Sequence, residues 1–165
     1  MTDTNAALDA VPFRITNPEL IPVQRYYDEE FYKAEKERPW PRVWQMACRL
    51  EEIPEVGNYV EYTIFDKSVI ILHSKAGVKA FHNACRHRGV RLVTAPGNCK
   101  RESCICPFHD WRFNAEGRNI FVFGKQVFSE ELLDPTEIDL APCRVEFWAG
   151  CAFINYDSPI KDLGF

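Results

Sequence analysis

The sequence predicts an all-β fold, an antiparallel β-sandwich that follows an N-terminal arm and one short helix. From residue 43 onward, apolar and polar residues alternate with a period of two in short segments. Turn-forming glycine, proline and aspartate residues separate these segments. Many short strands at close spacing are typical of a sandwich or a small barrel. The 165 residues are enough for one domain with a substantial apolar core.

The N-terminal part has a different pattern. Residues 1–24 are polar and carry three prolines, which predicts an extended arm. Asp28 is then expected to cap a short helix over residues 29–38, because acidic residues follow it in the first turn. Glu29 and Lys33 are four residues apart and are predicted to form an ion pair on this helix. The prolines that follow end the helix.

The β part contains eight predicted strands and one irregular segment. A turn is expected at residues 95–98, a hairpin around residues 115–117, and an irregular excursion over residues 124–142. The predicted strands cover residues 59–65, 68–73, 78–82, 91–94, 111–114, 118–122, 143–148 and 151–156.

Two short motifs in this region carry metal-binding side chains. Cys85 and His87 form a Cys-x-His pair, and Cys106 and His109 form a Cys-x-x-His pair after a gap of 18 residues. Each pair adjoins a glycine or a proline, and such residues favour the tight turns that ligand loops require. Two thiolates and two imidazoles in two short loops predict a four-ligand metal site.

Two metal centres can use this ligand set. A tetrahedral zinc site takes two Cys and two His on one ion. A Rieske [2Fe–2S] centre takes two Cys on one iron and two His on the other. Zinc fingers usually group Cys with Cys and His with His, whereas each loop here supplies one of each. The arrangement therefore favours iron, with zinc as the alternative.

The sequences Phe81–Gly89 and Cys106–Phe113 resemble the cluster motif of Rieske proteins. The resemblance is closest to the N-terminal domain of the large subunit of Rieske non-haem iron oxygenases, the ring-hydroxylating family. It implies a Rieske-type fold in which two loops bind a [2Fe–2S] cluster, with Cys85, Cys106, His87 and His109 as its ligands. The residue after the second His is usually Gly in this family and is Asp110 here.

The resemblance implies one-electron transfer from a reductase or ferredoxin to a mononuclear non-haem iron in an aromatic-ring or steroid hydroxylating oxygenase. The remaining histidines, His73 and His82, form no evident 2-His-1-carboxylate site, so we expect that iron outside this chain. The expected organisation is an arm and helix, the Rieske domain, and the start of a linker to an absent catalytic domain. These segments cover residues 1–42, 43–156 and 157–165.

Such a chain would be catalytically incomplete alone, whether the oxygenase is a monooxygenase or a dioxygenase. A stand-alone Rieske ferredoxin and a zinc-stabilised β domain that binds a partner are the alternatives. The family resemblance also implies a neighbouring subunit or catalytic domain as a partner, and a possible homo-oligomer.

Charge and cysteine usage bear on partners and location. The net charge of −4 argues against nucleic acid or an anionic membrane surface as a partner, and no stretch resembles a membrane span. Two of the seven cysteines are assigned to the cluster, and the other five suggest no disulfide framework. A reducing, cytoplasmic location is therefore expected. These five are Cys48, Cys99, Cys104, Cys143 and Cys151.

Three further features lie near the predicted ligands. Trp111 is expected either to pack over the cluster and exclude water or to belong to the ordinary core. Cys104, two residues before Cys106, is expected to point to the opposite strand face and to be inert, with a spare ligand or a resolving thiol as the alternative. The arginines of the first loop, Arg86, Arg88 and Arg91, are expected to face a partner subunit or a reductase.

Overall fold

A computed structural model describes residues 12–99 and 103–156. The chain divides into two compact units, Met1–Val43 and Trp44–Phe165. None of the helices in the described part of the chain has the length and apolarity required to cross a membrane.

The first unit contains the predicted helix, α1, over Glu29–Glu37. Asp28 caps it as expected, since its carboxylate accepts a hydrogen bond from the Phe31 backbone N–H at 2.8 Å. Phe31 is the buried residue of the helix and lies beside Phe13, with ring centroids 6.1 Å apart. The prediction that Lys33 pairs with Glu29 is wrong. Lys33 contacts Glu30, three residues earlier, at 2.6 Å.

The second unit is built on a seven-stranded antiparallel sheet. Its strand order is β1-β10-β9-β4-β3-β2-β5, so the first and last strands of the unit are neighbours. The strands are β1 Gln45–Arg49, β2 Asn58–Ile64, β3 Lys67–Ser74, β4 Gly77–His82, β5 Gly97–Asn98, β9 Pro142–Trp148 and β10 Cys151–Asn155.

A second, three-stranded antiparallel sheet carries the second predicted ligand loop. It consists of β6 (Ser103–Ile105), β7 (Arg112–Asn114) and β8 (Asn119–Phe121), in that order. The predicted hairpin turn joins β7 to β8, where the Asn114 carboxamide oxygen accepts hydrogen bonds from two backbone N–H groups of the turn.

Strand β3 is buried on both faces and therefore contributes to two apolar clusters. Ile70 and Leu72 pack in the cluster that also contains the four buried cysteines of the ligand region and the core of β7. Val69 and Ile71 point the other way and pack with residues of β1 and β10. The all-β antiparallel prediction is thus confirmed, and the ligand loops pack on one side of a strand whose central residues, 69–72, are buried.

The structure corrects the prediction at several elements. Arg91–Thr94, predicted as a strand, has irregular backbone, and β1, β5 and β6 were not predicted. The expected turn at residues 95–98 contains β5, which pairs with the start of β2. The excursion over residues 124–142 contains two 3-10 turns and a one-turn helix, α2, over Pro135–Ile138.

The largest correction concerns the cysteines, because Cys99 and Cys104 form a disulfide. The prediction that Cys104 is an inert thiol is wrong. The spacing of the five cysteines outside the predicted cluster site suggested no disulfide, yet two of them are paired, and Cys48, Cys143 and Cys151 are free. The bond links the end of β5 to β6 and therefore connects the two sheets. The inference of a reducing compartment loses this support.

Candidate metal centre

The first loop leaves β4 and turns back on itself immediately after Cys85. The Cys85 N–H donates to the Val90 carbonyl at 2.8 Å, and the Gly89 N–H donates to the Cys85 carbonyl at 2.7 Å. Gly89 has φ +70°, a conformation that glycine adopts without steric cost. The loop thereby presents Cys85 and His87 from one tight turn.

The second loop, between β6 and β7, repeats this turn residue for residue. The Cys106 N–H donates to the Trp111 carbonyl at 2.8 Å, and the Asp110 N–H donates to the Cys106 carbonyl at 3.1 Å. Asp110 occupies the position of Gly89 and has φ +57°. Aspartate is among the few non-glycine residues that tolerate this region, so the loop keeps its shape without glycine.

The two loops bring the four predicted ligands together. The rings of His87 and His109 lie 4.7 Å apart between centroids and are inclined by 62°. Within the described residues, the Nδ1 atoms of both rings are buried and have no hydrogen-bond partner. Buried polar atoms normally have a partner, so two orphaned nitrogens on adjacent rings fit metal coordination.

The two cysteines form the other half of the site. Cys85 and Cys106 are buried, and their thiols contact each other. Burial raises the pKa of the Cys85 thiol to about 11, although the N–H groups of His87 and Arg88 act in the opposite direction. A metal cation at this position would replace the thiol proton and supply the charge that the buried thiolate lacks.

The four candidate donors divide into two pairs. The Cys85 and Cys106 thiols contact each other, and the His87 and His109 rings lie side by side. A tetrahedral zinc site needs four donors around one point. A cysteine pair beside a histidine pair instead suits a binuclear centre with sulfur ligands on one iron and nitrogen ligands on the other.

Aromatic side chains surround the histidine pair. The Trp111 ring stacks on the His87 ring with a centroid distance of 5.0 Å and an interplanar angle of 7°. Trp111 is only 3% exposed, and Phe128 meets both rings edge-on. Trp111 therefore belongs to the buried apolar cluster and also packs against the predicted ligand His87, so the structure agrees with both expected roles.

The loop arginines are not all free to meet a partner. The Arg86 Nε–H donates to the Glu137 carbonyl at 2.8 Å, and Arg91 contacts the Glu61 carboxylate at 3.4 Å. Both contacts are intramolecular and attach the first loop to its surroundings. Contact of these arginines with a partner stays a prediction.

Residues that the motif did not reveal also shape the site. The Cys99–Cys104 disulfide lies in the same apolar cluster as Cys85 and Cys106. Asn83, two residues before Cys85, is a buried polar side chain and was not predicted to have a role. The sequence does not show that Asn83 is buried, so its proximity to the predicted ligand Cys85 indicates a role only once the fold is known.

Comparisons with known proteins agree with this geometry. Residues 43–123 match the family of the Rieske [2Fe–2S] domain. The chain is 30% identical over 155 residues to the 2-aminobenzenesulfonate 2,3-dioxygenase subunit alpha of Alcaligenes sp. The aligned region covers 92% of this chain and 39% of the relative. It is 30% identical over 138 residues to the carnitine monooxygenase oxygenase subunit of Escherichia coli (strain K12), with coverage of 83% and 36%.

A solved structure shows the same fold. It is that of a quaternary ammonium Rieske monooxygenase described in terms of carnitine oxidation and inter-subunit electron transfer. It superposes with a TM-score of 0.77 at 26% identity, over 85% of this chain and 38% of that chain. The chain thus spans less than two fifths of the length of these relatives.

The family match fixes the type of cofactor, a Rieske [2Fe–2S] cluster. The matched residues include both loops, and the two pairs of orphaned or buried donors suit its two chemically different irons. This chain therefore contains a Rieske [2Fe–2S] domain and resembles the N-terminal part of the large subunits of Rieske oxygenases.

Proposed function

We propose that this chain transfers single electrons through a cluster held by Cys85, Cys106, His87 and His109, as the N-terminal part of an oxygenase large subunit. The observation that carries the proposal is the pair of buried Nδ1 atoms, which have no hydrogen-bond partner among the described residues and lie beside two buried thiols. When bound, the cluster supplies a site that accepts and releases one electron.

The protein contributes an aromatic surrounding for that electron exchange. Trp111 and Phe128 pack against His87, and the loop turns hold both cysteines by backbone hydrogen bonds. His87 also lines an open hollow of about 350 Å³, together with Trp111, Phe128 and Leu132. This ring is therefore the ligand through which we expect electrons to leave the cluster.

The oxygen-activating iron is assigned to a catalytic domain outside this chain. His73 Nδ1 lies 2.8 Å from the Ile53 carbonyl, and the His82 ring lies 5.9 Å from the Tyr156 ring. Neither histidine belongs to a group of three or more potential metal ligands among the described residues. The substrate, and the choice between monooxygenase and dioxygenase chemistry, belong to that domain.

Exposed apolar side chains of the second ligand loop, of β8 and of the segment after β8 support a protein partner. They are between 42% and 77% exposed. Exposed aromatic and aliphatic side chains in such number favour a protein interface. The side chains are those of Phe108, Ile120, Phe121, Phe123, Val127 and Leu132.

We assign these side chains to an interface with a neighbouring subunit or catalytic domain. A related monooxygenase is described in terms of inter-subunit electron transfer, which agrees with this assignment. A reductase or ferredoxin is the electron donor in this proposal. The cytoplasmic location expected from the sequence no longer rests on the cysteines, because Cys99 and Cys104 form a disulfide. We assign residues 43–156 to the cluster domain, and residues 157–165, expected to begin a linker, lie outside the described residues.

The experiment compares ligand variants with a histidine control. The purified chain is expected to contain about two irons and two sulfides, and a reductase with NADH should reduce it without hydroxylating any aromatic, steroid or quaternary ammonium substrate. His109→Ala should lose the visible absorption of the cluster, whereas His73→Gln should keep it. Stoichiometric zinc, or hydroxylated product from this chain alone, would refute the proposal.

A further inference from the structure

The first ligand loop is closed at its base by one buried side chain. Asn83 is 3% exposed and lies between β4 and Cys85. Its Oδ1 accepts hydrogen bonds from the Leu92 N–H at 2.8 Å and the Val93 N–H at 3.2 Å, and its Nδ2 donates to the Val93 carbonyl at 2.7 Å. The carboxamide therefore ties the entry of the loop to its exit.

These contacts explain why the loop exit is not a strand. Leu92 and Val93 are buried, and buried backbone N–H groups require an acceptor. The Asn83 side chain supplies that acceptor in place of a neighbouring strand. Two connections thus cross the loop. The Cys85–Val90 backbone hydrogen bond lies closer to its tip, and the Asn83 side-chain hydrogen bonds lie closer to its base.

The same carboxamide is fixed in turn by Glu61 on β2. Asn83 Nδ2 lies 3.1 Å from Glu61 Oε1 and 2.9 Å from Ser68 Oγ, and Ser68 Oγ donates to Glu61 Oε1 at 2.6 Å. Arg91, on the loop itself, also reaches this oxygen at 3.4 Å. The Glu61 side chain is only 12% exposed. This nearly buried carboxylate attracts the NH2 group of the Asn83 carboxamide and thereby determines which way the carboxamide is oriented.

We infer that Asn83 and Glu61 form a clamp that positions the first ligand loop, and with it Cys85 and His87, for cluster binding and electron transfer. The inference rests on the proposed function, because it takes those two residues as ligands. Asn83 and Glu61 touch no ligand side chain in the described contacts and act as positioning residues. Their effect is on how firmly the loop holds the cluster and on the orientation of the two ligands.

The first test removes the carboxamide and compares a matched control. Asn83→Ala leaves two buried backbone N–H groups without their acceptor, which is expected to speed cluster loss to a chelator by about tenfold or more. Its reduction potential should also shift, since ligand orientation changes. Asn155→Ala is the control, because Asn155 is equally buried but lies at the end of β10.

Each variant is measured at the same interval below its own melting temperature, so that a difference in global stability does not affect the bleaching rates that are compared. The inference predicts faster bleaching and a shifted potential for Asn83→Ala alone. Equal bleaching of the two variants, or a wild-type half-life and potential for Asn83→Ala, would overturn it. A failure of the ligand assignment is distinguishable, because His87→Ala would then retain the cluster.

A second pair of variants keeps the test valid where Asn83→Ala does not fold. Asn83→Asp retains the acceptor for Leu92 and Val93 but places a carboxylate oxygen against Glu61. Adding Glu61→Gln removes that repulsion between the two side chains. The double variant should therefore hold its cluster longer than Asn83→Asp. A double variant that bleaches as fast as Asn83→Asp, or faster, would contradict a clamp built from these two residues.

Discussion

The turn in the first ligand loop can be strained without disturbing any packing. Gly89 has φ +70°, and a Cβ built on it would meet nothing within 4 Å. Gly150, in the turn between β9 and β10, has φ +78° and the same open space. Alanine at either position therefore adds backbone strain without a clash. The pair isolates the effect of strain inside the cluster loop from the same strain elsewhere.

The magnitude follows from the backbone conformation. A left-handed conformation costs an L-residue about 1–2 kcal/mol, and the loss of glycine flexibility in the unfolded chain returns about 0.4–1 kcal/mol. Both variants should thus lose about 1 kcal/mol in free energy of unfolding. In Gly89→Ala the strain falls on the turn held by the 2.7 Å bond to the Cys85 carbonyl. That loop should therefore open about fivefold more often.

The assay measures two quantities for each variant. Denaturant titration gives the free energy of unfolding, which is expected to fall by a similar amount in both. Bleaching of the visible absorption by a chelator gives the rate of cluster loss, which should rise in Gly89→Ala and stay near the wild-type rate in Gly150→Ala. Equal bleaching rates in the two variants would refute the reasoning, as would a Gly89→Ala protein that matches the wild type in both measurements.

Three further perturbations test other parts of the site and fold. Asp110→Asn should raise the reduction potential measured by voltammetry, because it removes a negative charge beside His109 while asparagine still tolerates φ near +57°; an unchanged or lower potential would count against this. Replacing Cys99 and Cys104 together by serine should lower the free energy of unfolding by about 2 kcal/mol, the loop-closure value for so short a loop; denaturation under non-reducing conditions checks this, and wild-type stability would show that the bond contributes nothing. Burial, and then the charge of Lys67, lowers the pKa of His82 below 6.5, so the unfolded chain binds more protons than the folded chain just below that pH. The free energy of unfolding should therefore fall as the pH decreases from about 7 through 6.5. A His82→Gln protein with the same pH dependence would exclude His82 as a cause.

The four candidate ligands could be selected from the sequence because each pair is local. Cys85 with His87, and Cys106 with His109, lie in loops of fixed spacing, and the structure brings the two loops together. Strands such as β3 were predictable for a similar reason, since a run of β-branched and apolar residues needs no knowledge of its partner strands.

The errors fall where a distant group determines the local structure. Residues 91–94 have a strand-like sequence, yet their backbone bonds go to the side chain of Asn83. Strands β5 and β6 are too short to show a pattern and exist because β2 and β7 pair with them. The Cys99–Cys104 disulfide depends on the position that these two strands give to the cysteines, and a separation of five residues alone does not indicate it.

The central claim is that two Cys and two His divide between two iron atoms, and Mössbauer spectroscopy tests it most directly. The chain is prepared without air damage in isotopically enriched iron and measured in the oxidised state. A Rieske cluster should give two iron sites of equal area with different isomer shifts, one with sulfur ligands only and one with histidine nitrogen ligands. A single type of iron site, or a protein that binds zinc and no iron, would contradict it.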